Sequence, residues 1–199
     1  MRLLVGLGNP GVKFDATRHN AGFWVLDSLA AKQGAHWEQW RGVQTAIVPG
    51  GKLCKPQEFM NISGKSLAEY IRFFQLPLED ICVVSDDVYL KPGTVRVRQG
   101  GGDGGHNGLK SFLQHLPDTP FLQVRVGVGL YAQTGIEREQ QPPLDEYVLR
   151  PQAPEDQKNT LKAIDELLPD LVGWLATGEI ACTTRHLAQP NPVISGSEA

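Results

Sequence analysis

The chain has 199 residues, of which 41% are apolar and 21% charged, a balance that excludes a disordered or disulfide-stapled chain. A chain of this length buries roughly 70% of its unfolded surface and needs no metal or cross-link to form a core. The formal net charge of −3 excludes a uniformly basic coat, yet the charge is uneven: residues 1–90 are neutral, residues 91–125 stand at +3 and residues 126–199 at −6. A local basic segment, rather than net charge, decides whether phosphate can be held. Cys54, Cys82 and Cys182 are odd in number and lack any CxxC or CxxH spacing, so they are expected to be buried apolar residues in a reducing compartment. No apolar run reaches the ~20 residues of a membrane span, and residues 1–6 are too soon broken by Gly and Pro for a signal peptide. No membrane association and a cytoplasmic location are therefore expected.

Residues 3–5 form a short apolar run closed by Gly6, the pattern of a buried strand. Residues 21–32 carry Phe23, Leu26, Ala30 and Trp24, Val25, Leu29 at helical spacing, with Gly34 as the stop. A strand is expected over residues 45–48, ended by Pro49-Gly50-Gly51. Leu67, Tyr70, Ile71 and Phe74 make a helical stripe with Pro77 beyond it. Residues 81–85 read as a buried strand. Val95 and Val97 alternate with Arg96 and Arg98, so a half-exposed strand presents two guanidiniums on one face. A Gly-rich loop over residues 100–108 leads into a helix near residues 109–116, and residues 121–129 form a further strand. A helix is expected over residues 161–177 with a break at Pro169. Residues 129–148 read as a mobile surface loop, and residues 188–199 as a frayed tail after one domain spanning residues 1–187. Strands alternate with helices, which gives an α/β class with helices on both sheet faces.

Several familiar signatures fail on context. Gly6-Leu7-Gly8-Asn9-Pro10-Gly11 is literally GxGxxG, but Pro10 removes an amide and residues 14–18 separate the glycines from the next helix. A dinucleotide loop opens directly into its helix, so this is not one. Gly64-Lys65-Ser66 imitates the end of a phosphate loop, but Phe59 stands where its first Gly belongs. No GxSxG elbow exists, and the five histidines show no HxH or HExxH spacing, so a serine nucleophile and a zinc site both lack a carrier.

What remains is a set of amides, Asn9, Asn20, Asn61 and Asn107, each beside Gly, His or Ser at a loop or helix start. A lone Asn in a turn usually bonds its own backbone. Several at strand-to-helix junctions are another matter, because open α/β sheets bind ligands there. His19 lies in Thr17-Arg18-His19-Asn20-Ala21-Gly22, and Asp86-Asp87 end the strand over residues 81–85. A histidine held by a carboxylate is a general base, and amide donors can steady a developing oxyanion. Water activated by His, with no nucleophilic side chain, points to hydrolysis of an ester or similarly activated carbonyl. Neighbouring side chains at a strand end point oppositely, so only one of Asp86 and Asp87 can reach His19.

Gly8-Asn9-Pro10-Gly11, Phe14-x-x-Thr17-Arg18-His19-Asn20-x-Gly22, Phe59-Met60-Asn61-x-Ser63-Gly64-Lys65 and Gly105-His106-Asn107-Gly108-Leu109-Lys110, in that order, closely resemble the bacterial peptidyl-tRNA hydrolases over nearly the whole chain. The resemblance implies a monomeric, single-domain, three-layer α/β/α fold with a mixed twisted sheet. It also implies cleavage of the ester between a peptide and the 3′ ribose of tRNA, without a cofactor or metal. On the matching positions it assigns His19 as general base and Asp86 as the carboxylate that orients it. It places Asn9, Phe59, Met60, Asn61, His106 and Asn107 against peptide, ester and attacking water, and Arg96 and Arg98 against tRNA phosphate. Arg125 lies in the strand after the Gly-rich loop. The chain departs from the family's usual residues at Ser85, Tyr89 and Gln123, at residues 127–131 and in the loop over residues 131–144. A pure RNA-binding module, as in plastid intron-splicing factors that resemble these hydrolases, would be favoured by loss of the His or the Asp, and both are present. A nucleotide-binding protein of α/β type would need a phosphate loop, which is absent.

Overall fold

In a computed structural model of the chain, the described residues are 1–117, 120–129, 131 and 141–187. In chain order the elements are β1 (Arg2–Gly6), α1 (Ala21–Gln33), β2 (Glu38–Trp40), β3 (Val43–Val48), β4 (Gly51–Pro56), α2 (Ser63–Phe73), β5 (Ile81–Asp87), β6 (Thr94–Gln99), α3 (Asn107–His115), β7 (Leu122–Gly127), α4 (Leu144–Val148), α5 (Pro154–Thr177) and β8 (Thr184–His186). The strands make one eight-stranded sheet in the order β2-β3-β4-β1-β5-β7-β6-β8. The centre, β4-β1-β5-β7, is parallel and the outer pairs are antiparallel. The expected α/β class with a mixed sheet and helices on both faces is what folds.

The side-chain period of two sends alternate residues of each central strand to opposite faces. Leu4, Cys82, Val84, Val124 and Val126 pack under α1 and α5, whereas Leu3, Val5, Ile81 and Val83 pack under α2 and α3. Both faces are apolar, as expected of parallel strands covered on two sides.

Four expectations are corrected. Strands β2, β4 and β8 were not anticipated, and β4 is a central strand. Helix α5 begins at Pro154 and runs unbroken through Pro169. Pro169 lies on the solvent side, as does Asp165 one turn earlier, so water can satisfy the carbonyl that loses its donor. Part of the expected surface loop is the helix α4, packed through Val148 into the core. Residues 130 and 132–140 of that loop and the tail over residues 188–199 lie outside the described residues. Cys54 and Cys82 are buried, and burial pushes both thiols up, but Cys182 is exposed.

Candidate active site

Gly22 decides where His19 sits. Helix α1 starts with its backbone against the sheet: a Cβ on Gly22 would strike Leu7 N and O and the carbonyl of Val84. That close approach carries residues 17–20 onto the carboxyl ends of β1 and β5. Arg18 then clamps the turn from outside, donating to the carbonyls of Arg150 at 2.9 Å and Pro151 at 2.8 Å while its guanidinium stacks on Tyr147. Tyr147 belongs to α4, so the turn bearing His19 and the helix covering it are one packed unit.

His19 Nδ1 lies 2.9 Å from Asp86 Oδ1 at the end of β5. His106 Nε2 lies 2.9 Å from the same oxygen, and the two rings are 4.7 Å apart, centroid to centroid. All three side chains are buried, at 7%, 3% and 6% exposure for His19, Asp86 and His106. Burial alone would raise the Asp86 carboxyl, but its electrostatic attraction to the His19 and His106 rings and the hydrogen bonds they make outweigh it and hold the group well below the usual carboxylate range. Asp86 is therefore an anion that only accepts. Asp87 faces elsewhere: it accepts from Tyr89 N–H at 2.8 Å and pairs with Arg125 at 3.5 Å.

These groups line a cleft of about 300 Å³. One wall is Asp87, Val88 and Tyr89. The Gly-rich loop and the start of α3 supply Gly104, Gly105, His106 and Asn107, and α4 contributes Leu144, Asp145 and Val148. Gln123 and Arg125, side by side on β7, hold the Gly-rich loop in place. Gln123 donates to Gly101 O at 2.9 Å and accepts from Arg125, whose Nη2 donates to Gly102 O at 2.7 Å.

The remaining expected site residues divide. Asn20 is a brace, accepting from Asn9 N–H at 2.8 Å and donating to Asn9 O at 3.0 Å. Asn9 accepts from Met60 N–H at 2.8 Å, which leaves the amide's N–H donors as what it can present. It borders a second cleft of about 320 Å³, with Trp24, Asp27 and Lys55. Met60 is buried against Gly108 at the start of α3. Asn61 and Phe59 are exposed on the turn before α2, where Phe59 meets Phe14 edge to face, and neither lines the two clefts. Gly64 and Ser111 interlock α2 with α3, Gly64 N–H donating to Ser111 Oγ at 3.0 Å, so part of that motif serves packing. Arg98 is exposed on β6 near the edge, and Arg96 is half-buried and donates to Thr184 Oγ1 of β8 at 3.0 Å.

Sequence reasoning missed Arg18 as a clamp, Gln123 as a loop anchor and α4 as a wall. The signal for α4 was Pro143 followed by Asp145 and Glu146, a helix start. His19, Asp86 and His106 also have the donor types of a metal site, their ligand atoms lying within 4.8 Å of one another. Each imidazole, however, aims a nitrogen at Asp86 Oδ1 within hydrogen-bond distance, an arrangement that protons satisfy and an ion would have to break.

A profile of the peptidyl-tRNA hydrolase family matches residues 3–191. A peptidyl-tRNA hydrolase of Alkalilimnicola ehrlichii is 39% identical over 195 residues, covering 94% of this chain and 95% of its own. That of Geotalea daltonii is 40% identical over 187 residues, covering 88% and 90%. The crystal structure of peptidyl-tRNA hydrolase from Acinetobacter baumannii superposes with a TM-score of 0.79 at 33% identity over 89% of each chain. No helix among the described residues is long and apolar enough to cross a membrane. With a profile match over nearly its whole length and relatives near 40% identity, the chain belongs to the peptidyl-tRNA hydrolase family.

Proposed function

We infer that this chain hydrolyses the ester of peptidyl-tRNA and releases tRNA for reuse, and that residues 1–187 act as a monomeric cytoplasmic unit. Family membership supports the reaction, and the observation that carries the mechanism is the buried His19–Asp86 hydrogen bond at 2.9 Å. Ionised Asp86 accepts a hydrogen bond from the N–H at His19 Nδ1, which leaves the lone pair of a neutral ring on Nε2. That nitrogen takes a proton from water as the water attacks the ester carbonyl. Asp86 then stabilises the imidazolium, and His19 returns the proton to the departing 3′ oxygen of the ribose. Asn107, in the wall of the His19 cleft, offers an amide to the developing oxyanion without adding charge, and Asn9 and Asn61, outside that cleft, hold the peptide backbone. Phe59 and Met60 give the peptide apolar surface, and Arg96 and Arg98 hold phosphates of the tRNA. The chemistry requires no metal or cofactor, because an aminoacyl ester is already activated.

Incubation with N-acylated and with free aminoacyl-tRNA tests the substrate class. Release of tRNA from the acylated ester, with the free aminoacyl ester spared, is the expected result. Equal cleavage of both, or of neither, contradicts it.

A further inference from the structure

We propose that His106, expected from the sequence to line the substrate cleft, is a positioning residue that sets the protonation of His19 through their shared oxygen on Asp86. This rests on the reading of His19 as the base. His106 Nδ1 accepts from Gly108 N–H at 3.1 Å and from Leu109 N–H at 3.2 Å, so it caps α3. A ring nitrogen that accepts two amide protons carries none of its own, and the ring's single N–H must then be on Nε2. There it donates to Asp86 Oδ1, 2.9 Å away. An imidazolium at this position would turn an N–H toward two N–H groups at the positive end of a helix, so the cap keeps His106 neutral.

His19 reaches the same oxygen from the other side, also at 2.9 Å. The Asp86 charge is thus divided between two imidazole protons. The share given to His106 is withheld from His19, which keeps Asp86 from trapping His19 as an imidazolium while still fixing its proton on Nδ1. The other charges around the pair are already committed or stand at the rim. Asp87 and Arg125 pair with each other, and Arg18 turns its guanidinium to the carbonyls after α4. Asp145 of α4 and Tyr89 after β5 line the cleft. His106 is the neutral donor that touches Asp86 beside His19.

Two variants separate the two ends of this ring. His106→Asn keeps an acceptor near the Nδ1 position and removes the donor to Asp86. His106→Gln keeps a donor near the Nε2 position and removes the cap. Losing a hydrogen bond to a charged group should move the acid limb of kcat/KM for His106→Asn to higher pH by about half to one unit, with Tm near wild type. His106→Gln should leave the acid limb where wild type has it and lower Tm by about 2–4 °C. Nitrogen-15 imidazole spectra of the whole chain should find the proton of His106 on Nε2 and that of His19 on Nδ1. An acid limb that stays put in His106→Asn, or a proton on His106 Nδ1, overturns the proposal. Should His19→Ala remain active, the base assignment fails instead, and the spectra still report on His106 independently.

Discussion

Two clefts flank the segment that carries Asn9 and His19, and each holds a buried charged group against hydrogen-bonding partners, yet they are built on different logic. In the first, Asp86 is buried, takes two imidazoles on one oxygen, and sits 3% exposed beside His19 at 7%. In the second, Lys55 is buried between Trp37 and Phe23, but its partner Asp27 is 49% exposed. The first arrangement constrains where protons reside, because Asp86 accepts from one nitrogen of each imidazole and so fixes which ring nitrogen bears the proton. The second only keeps a cation from being stranded, with one partner open to water and screened by salt. Here the buried charge that marks chemistry is the one that fixes the proton of a base facing the cleft, and the one that marks packing only pairs with a solvent-exposed carboxylate.

Breaking the first cleft should have the larger effect. Asp86→Asn preserves shape but removes the charge that stabilises the imidazolium and holds the tautomer, so kcat should fall by ~10 to 10³. Asp87→Asn should cost under about tenfold, since its partners are Tyr89 N–H and Arg125 rather than His19. A reversed ranking in steady-state rates would undo the division between the two carboxylates. The Asp86 contribution to stability also has a defined pH window. Its folded carboxyl is held low, so that contribution is complete above the unfolded value near 3.9 and is lost as pH falls from there toward the folded value. The Tm gap between wild type and Asp86→Asn should therefore close below about pH 4.

Next in size is the basic strand. Changing Arg96 and Arg98 to Ala should raise KM far more than it lowers kcat, and flatten the salt slope by roughly 0.7–0.9 for each phosphate no longer held. Identical salt slopes would make both residues solvated surface. The second cleft should respond least: Asp27→Asn should lower stability by about 1 kcal/mol, or ~2–4 °C in Tm, and leave kcat unchanged. A tenfold loss of rate in that variant would mean that the Lys55–Asp27 pair takes part in the reaction.

The pairing of His19 with Asp86 was legible in the sequence because a histidine at a glycine-flanked junction and carboxylates ending an apolar strand violate local expectation, whereas Asn9 and Asn61, singled out for the same reason, lie outside that cleft. The strands that frame it were less so. Strand β4 starts at Gly51, ends at Pro56 and carries Lys55 inward, so neither alternation nor an apolar run announces it. Strand β2 is a three-residue edge. The first turns of α5 are polar and largely exposed, and its buried face begins only at Thr160 and Ala163, which hid the true start at Pro154. The double role of His106 was invisible for another reason. Composition and spacing place a histidine before a helix, but only tertiary geometry brings its far nitrogen to Asp86.

The central claim is that a single buried imidazole performs the proton transfer, and His19→Ala tests it most directly. With kcat/KM for an N-acylated aminoacyl-tRNA and tRNA binding measured on the same preparation, hydrolysis should fall by ~10² to 10⁴ while binding and fold persist. Cleavage within about threefold of wild type, with the fold intact, would contradict the account.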